Sequence, residues 1–203
     1  MDLTKTKLPL MEEFFSIQGE GWNTGKQAYF VRLAGCDVGC VWCDVKESWN
    51  RNDHSEEKIS NILNNIAKNE SQNVVVTGGE PLMHDLDLLC SSLKDRGLNI
   101  WLETSGAYPL SGEFDWVCVS PKKFKKARPE VLMRADEIKV VVYHPSDIEF
   151  AMSFIPELRH DCKLYLQPEY SRFNKVMPLI VDHIKNHPKW SISLQTHKIM
   201  GVR

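Results

Sequence analysis

The stretch AYFVRLAGCDVGCVWCD, residues 28–44, runs from an apolar, β-branched segment straight into a cysteine-rich loop. Residues 28–34 read as a buried strand. Gly35 and Gly39 then free the backbone for a tight loop, and Cys36, Cys40 and Cys43, spaced C-x3-C-x2-C, hold half of the chain's six cysteines. A reactive set of side chains just past the end of a strand is where parallel α/β sheets, closed or open, place their chemistry. The cysteine loop therefore sets both the fold class and the position of the site.

Further along the chain the same arrangement returns. NVVVTG, LNIWLETSG, DWVCVS, EIKVVVY, KLYLQP and SISLQ are short apolar runs of strand character. Helical patterns lie between some of them. SEEKISNILNNIAKNE opens on Ser55 as an N-cap and sets Ile59, Ile62, Leu63 and Ile66 on one face, DLDLLCSSLKDRG stops at Gly97, and PSDIEFAMSFIPEL and KVMPLIVDHIKNH carry prolines. Strand and helix in alternation predict a mostly parallel α/β sheet. A complete eight-fold barrel takes about 250 residues. This chain has 203 and shows no clear strand in its first twenty, so an incomplete (β/α) barrel or an open parallel sheet is expected, as a single domain over 1–203. RLAGCDVGCVWCD, VVVTGGEP, WLETSG, VCVSPK and YLQPEY each end a strand in glycine or polar residues, and five such endings predict one rim carrying one site.

Composition narrows the class. Apolar residues make up 42% and charged residues 26%, ordinary for a soluble globular chain. A net charge of −2 argues against broad binding to nucleic acid or membrane surfaces. The opening MDLTKTKLPLMEEFF lacks the pattern of a secretory signal, and no run is long enough to span a bilayer. A cytoplasmic location is expected, where clustered cysteines hold metal or do chemistry more often than they form disulfides. Cys90, Cys118 and Cys162 stand apart in apolar surroundings and read as buried free thiols. The basic run KKFKKAR, beyond Lys122, reads as solvated at Lys123, Lys125 and Lys126.

Three cysteines leave a metal question open. A structural zinc wants a fourth ligand at finger-like spacing, and no second C-x2-C follows. A cubane 4Fe–4S cluster held by three thiolates keeps one iron free for a chelating small molecule. Two other motifs have their own chemistry. Gly78 and Gly79 of TGGEP permit close approach of a ligand, and Glu80 offers a carboxylate to an ammonium group. Gln18 supplies donors and acceptors, and Arg32 can grip a carboxylate with two parallel bonds.

The C-x3-C-x2-C loop resembles that of the radical S-adenosylmethionine (SAM) superfamily. The resemblance implies that Cys36, Cys40 and Cys43 ligate a 4Fe–4S cluster whose fourth iron is chelated by SAM. It also implies that Trp42 lies near the adenine and that Gly78, Gly79 and Glu80 hold the methionine amino group. SIQGEG and the closing SLQTHKIMGVR extend the likeness, over nearly the whole chain, to the 7-carboxy-7-deazaguanine synthases. On that likeness Asp44, Gly106, Ser120, Pro121, Lys122, Gln167, Pro168, Glu169 and Tyr170 belong to the SAM site. Ile17, Gln18, Gly19, Glu20, Arg32, Thr104, His197 and the carboxylate of Arg203 belong to the substrate site, with the tail folded over it.

The implied substrate is 6-carboxy-5,6,7,8-tetrahydropterin. The implied reaction takes a hydrogen from its C6, contracts the ring and expels ammonia, with an electron donor such as flavodoxin or ferredoxin and a homodimeric enzyme as the family pattern. The family also carries a Thr or Ser after the Asp that follows the third cysteine, to help bind magnesium. Val45 stands there instead and has no side-chain oxygen. The SAM-dependent glycyl-radical activases share the short length and the loop but give SIQGEG and QTHK no purpose; a zinc-stabilised, non-catalytic module is a third reading, distinguished by zinc in place of iron and sulfide.

Overall fold

A computed structural model describes residues 2–203. Nine strands form one sheet: β1 (Lys7–Ile17), β2 (Gln27–Leu33), β3 (Ser55–Lys58), β4 (Asn73–Gly78), β5 (Asn99–Thr104), β6 (Trp116–Val119), β7 (Glu137–Val142), β8 (Lys163–Pro168) and β9 (Trp190–Ile192). Six helices accompany them: α1 (Ile59–Ile66), α2 (Asp87–Lys94), α3 (Pro129–Arg134), α4 (Ser146–Met152), α5 (Phe173–Asn186) and α6 (Thr196–Met200). The strand order is β3-β1-β2-β4-β5-β6-β7-β8-β9. From β2 to β9 neighbouring strands are parallel, and β1 and β3 add an antiparallel edge. The sheet does not close, so the incomplete barrel is the architecture found.

Period-two alternation sorts the two faces. Val31 and Leu33, Val74 and Val76, Ile100 and Leu102, Ile138 and Val140, and Leu164 and Leu166 all join one large core. It includes Ile59, Ile62, Leu63 and Ile66 of α1, Leu89 and Leu93 of α2, and Val176 and Ile180 of α5. The intervening residues face the other way. Phe30, Val75 and Trp101 form a small second cluster there with Ala28, against which Phe14 and Trp116 pack. Beyond that cluster the same face turns polar, with Glu103 on β5, Lys139 on β7 and Gln167 on β8 bordering one cleft.

Three expectations need correction. The first twenty residues do contain a strand, β1, eleven residues long. Pro9 and the pair Glu12–Glu13 disguise it, because proline and clustered charge both read against a strand. Proline is tolerated because β1 lies next to edge strand β3, and a register irregularity falls between Leu10 and Glu12. Glu12 pairs with Arg32, and Asn65 of α1 donates to Glu13. Ser55 is not a helix cap but the first residue of β3; α1 starts at Ile59, after Lys58. Lys123 and Lys125 are not simply solvated: Lys123 Nζ lies 2.5 Å from Asp147, and Lys125 Nζ 2.6 Å from Asp37. The strand expectations from NVVVTG to KLYLQP hold, these two matching β4 and β8 end to end, whereas SISLQ (191–195) is strand only at its first two residues, in β9. Gly97 ends the α2 turn at a φ of 72°, and Pro178 sits inside α5 without breaking it.

Candidate active site

The carboxyl ends of the parallel strands open into a cleft of about 450 Å³. All five rim segments expected from the sequence meet there, joined by the SIQGEG loop and by the 195–203 segment. The cysteine loop is pinned on one side: Gly35 N donates to Ser48 O at 2.7 Å and Cys36 N to Trp49 O at 3.1 Å. Gly35 and Gly39 adopt φ of 104° and 74°, which only glycine tolerates without strain. Cys40 is buried and Cys36 and Cys43 are half-buried, all three on the cleft wall. Burial pushes the Cys36 and Cys40 thiols up, so metal binding must displace their protons.

The TGGEP turn closes over this loop. Gly79 N donates to Leu33 O and Glu80 N to Gly35 O, both at 2.9 Å. A Cβ on Gly79 would stand 2.5 Å from Gly35 O and 2.7 Å from Cys36 Cβ. Here the glycine is required first by two backbones in contact. Glu80 is almost wholly buried, and its carboxylate accepts from Thr104 Oγ1 at 2.5 Å, Ser105 N at 2.8 Å, Leu82 N at 3.1 Å and the Ser105 hydroxyl. Four donors fix its orientation at the cleft edge, and they bind Thr104, expected at the substrate, to the same cluster.

A charged network forms the floor. The Lys139 ammonium, 3% exposed, lies 2.7 Å from Glu20 and 3.0 Å from Glu103. Gln18 Nε2 donates to Glu103 at 3.2 Å, and Gln195 Nε2 to the other oxygen of Glu20 at 2.9 Å. Burial opposes ionisation of Glu20, yet the Lys139 charge and hydrogen bonds prevail and bring its carboxyl down to about 2. Burial also opposes the charge on Lys139, but the surrounding Cys118, Glu103, Glu20 and Glu137 hold its ammonium well above the usual lysine range. Lys139 and Glu103 were not assigned from sequence. The signal was present in EIKVVVY, where Glu137 and Lys139 alternate with the core residues Ile138, Val140 and Val142.

Among the other expected residues, Ile17, Trp42, Asp44, Ser120, Lys122, Gln167, Pro168, Glu169 and Tyr170 all border the cleft, as does Val45. Trp42 stacks on Tyr143 with ring centroids 5.5 Å apart and meets Phe124 at 5.3 Å. Lys122 Nζ folds back onto Ser120 O and Oγ, and burial lowers its pKa. Gly106 and Pro121 do not reach the cleft. Gly106 takes a φ of 76°, and a Cβ there would meet Val119 and Ala127.

The tail does fold over the opening. Thr196 N donates to Gly19 O at 2.9 Å, and Lys198 Nζ reaches Asp44 at 3.4 Å and sits 4.5 Å above the Tyr170 ring. His197 packs directly on Gly19, where any Cβ would collide with its backbone nitrogen at 2.7 Å. Gln195 and Lys198 join the site as residues the sequence reading missed.

Among the described residues no three His, Cys, Asp or Glu side chains converge as a single metal ion requires. A cubane, whose corner irons are spread apart, does not ask for that convergence. Three soft thiols on one glycine-hinged loop, facing a polar cleft, fit a 4Fe–4S cluster with one iron left to a small chelator.

Comparison with known proteins agrees with this geometry. The model of the radical SAM superfamily matches residues 31–144. A 7-carboxy-7-deazaguanine synthase of Flavobacterium psychrophilum is 49% identical over 195 residues, 96% of this chain and 92% of the relative. One from Synechocystis is 42% identical over 202 residues, 100% of this chain and 97% of its own length. The crystal structure of QueE from Escherichia coli superposes with a TM-score of 0.86 at 32% identity, covering 94% of this chain and 95% of that one. The superfamily and these relatives imply a 4Fe–4S cluster and SAM. The chain is a radical SAM enzyme and belongs to the 7-carboxy-7-deazaguanine synthase family.

Proposed function

We propose that this chain converts 6-carboxy-5,6,7,8-tetrahydropterin to 7-carboxy-7-deazaguanine with loss of ammonia, residues 1–203 acting as one catalytic domain. The observation that carries this reading is one cleft bordered by the cysteine loop and by Gln18, Glu20 and Arg32 together. When bound, the cluster and SAM supply the one-electron radical chemistry that removes a hydrogen from the substrate.

The protein's part is to bind and orient. Cys36, Cys40 and Cys43 hold the cluster. Glu80, Ser120, Lys122 and the Gln167–Tyr170 segment surround SAM, with Trp42 at its adenine. Glu20 stays ionised at every working pH, so it can only accept, as the N–H edge of a pterin requires. Arg32 gives its Nε to Glu12 at 2.8 Å, and its terminal nitrogens make no hydrogen bond with the described residues. They are available to a substrate carboxylate. Thr104 and His197 complete the substrate's surroundings, and the 195–203 segment excludes water.

Magnesium, on this reading, binds through substrate oxygens and water, with Val45 contributing no ligand. Replacing Val45→Thr places a hydroxyl on the cleft wall, and the magnesium concentration for half-maximal activity is expected to fall about ten-fold; no change would remove the residue from the metal's surroundings. The enzyme works in the cytoplasm as a homodimer, receiving electrons from a flavodoxin- or ferredoxin-type donor.

The test is anaerobic reconstitution with iron and sulfide, then incubation with a reductant, SAM and the carboxypterin, with product read by mass spectrometry. 7-Carboxy-7-deazaguanine is the expected product. Protein with a full iron and sulfide complement that forms none would end this reading.

A further inference from the structure

Arg203 has a side chain that the family likeness leaves without a purpose, and β1 supplies one. Three residues on a single face of the strand, at i, i+2 and i+4, each hold it. Glu12 Oε2 lies 2.7 Å from the Arg203 guanidinium. The Phe14 ring lies 5.3 Å beneath the same group. Ser16 Oγ donates to the Arg203 main-chain oxygen at 2.6 Å. Glu12 has a second engagement. Its register partner across the ladder is Arg32, whose Nε donates to Oε1 at 2.8 Å. Glu12 thus binds a residue of the tail with one oxygen and a residue of the cleft with the other. Arg32, Phe14 and Arg203 border the cleft, whereas Glu12 itself stands behind them.

We propose that Glu12 is a positioning residue which, with Phe14 and Ser16, clasps Arg203 and so shuts the 196–203 segment over the cleft, while the same carboxylate aims Arg32 at the carboxylate of the substrate. The second half rests on the reading that the substrate carries such a group. The Arg203 side chain is 72% exposed, and an ion pair so open to water is individually weak. Weakness suits the purpose, because a closure made of three modest contacts can release for substrate entry and product exit. Binding and closure are then linked. A substrate that orders Arg32 on Glu12 also favours the tail-closed state, and the closed tail tightens substrate by the same factor.

Hydrogen exchange on the reconstituted enzyme tests the clasp without reference to turnover. The readout is the 195–203 segment, where Val202 N donates to His197 O at 3.1 Å. Arg203→Ala, which loses both the ion pair and the Phe14 contact, is expected to speed exchange there about ten-fold, and Glu12→Gln, which loses the ion pair alone, about three-fold. The double variant should exchange no faster than Arg203→Ala alone, and Arg203→Lys should restore most of the protection. Glu12→Gln should also raise KM for the carboxypterin well beyond the effect of Arg203→Ala, with kcat within about two-fold, because only Glu12 holds Arg32 as well. Exchange unchanged in Arg203→Ala, or additive in the double variant, overturns the clasp. An unchanged KM in Glu12→Gln overturns the aiming of Arg32. Should all variants and the parent make no deazaguanine while exchange responds as described, the activity reading falls and the clasp stands.

Discussion

Lys139 carries the charge balance of the cleft floor. It is a buried ammonium between two carboxylates, and removing it leaves Glu20 and Glu103 facing each other without a counter-ion. Lys139→Met is expected to lower unfolding stability by about 3–5 kcal/mol, read by denaturant titration. It should also abolish substrate binding, since Glu20 would no longer be held ionised. The pH dependence follows from the same pair. Glu20 titrates at about 2 in the folded protein against an ordinary 4.5. Its contribution to stability is therefore complete above about pH 4.5 and is lost as pH falls towards 2. Acid unfolding followed by circular dichroism should show this loss in the parent, and Glu20→Gln should flatten the curve between those limits. A parent and variant with superimposable acid curves would contradict the assignment.

Individual elements show how little sequence separates a structural from a functional role. Helix α6 is five residues long, too short to stand alone, and it is held by the loop beneath it. Thr196 bonds Gly19 O with both its N and its Oγ1 at 2.9 Å, and His197 fills the space a side chain at Gly19 would need. Gly19→Ala should lift α6 off the SIQGEG loop. The expected result is a KM for substrate raised about ten-fold with a small change in melting temperature, since α6 lies outside the main core. Strand β1 makes the complementary point. Its Pro9, Glu12 and Glu13 spoil the local pattern, and it was not legible as a strand. It pairs because β2 and β3 flank it and because Arg32 and Asn65 answer its charges. Lys125 was misread for the same reason: the run KKFKKAR looks solvated in isolation, and only folding brings Asp37 and Tyr108 to Lys125 Nζ, at 2.6 and 2.7 Å.

On the scale of the whole molecule, the site and the core are separate investments of the sheet's two faces. The large core lies on the helix side and contains none of Cys36, Cys40 or Cys43. Replacing all three cysteines by alanine is therefore expected to eliminate iron binding while leaving the far-ultraviolet spectrum unchanged and the melting temperature of the iron-free protein within a few degrees. A collapse of the fold in that variant would show that the loop is structural. The open edge of the barrel matters as well. Because β3 and β9 do not meet, the polar face is reachable, and the tail and SIQGEG loop can cover a cleft that a closed barrel would fill with side chains.

The sequence by itself determined the parallel alternation, the five strand endings on one rim and the thiol set, because each depends on residues close in the chain: period-two patterning, glycine hinges and C-x3-C-x2-C spacing. Tertiary structure alone decided what those endings meet. Lys139, Glu103, Glu12 and Gln195 acquire their roles from partners 20 to 191 residues away. Such pairings are set by strand order and chain closure, and a charged side chain carries no local mark of the partner that folding will give it.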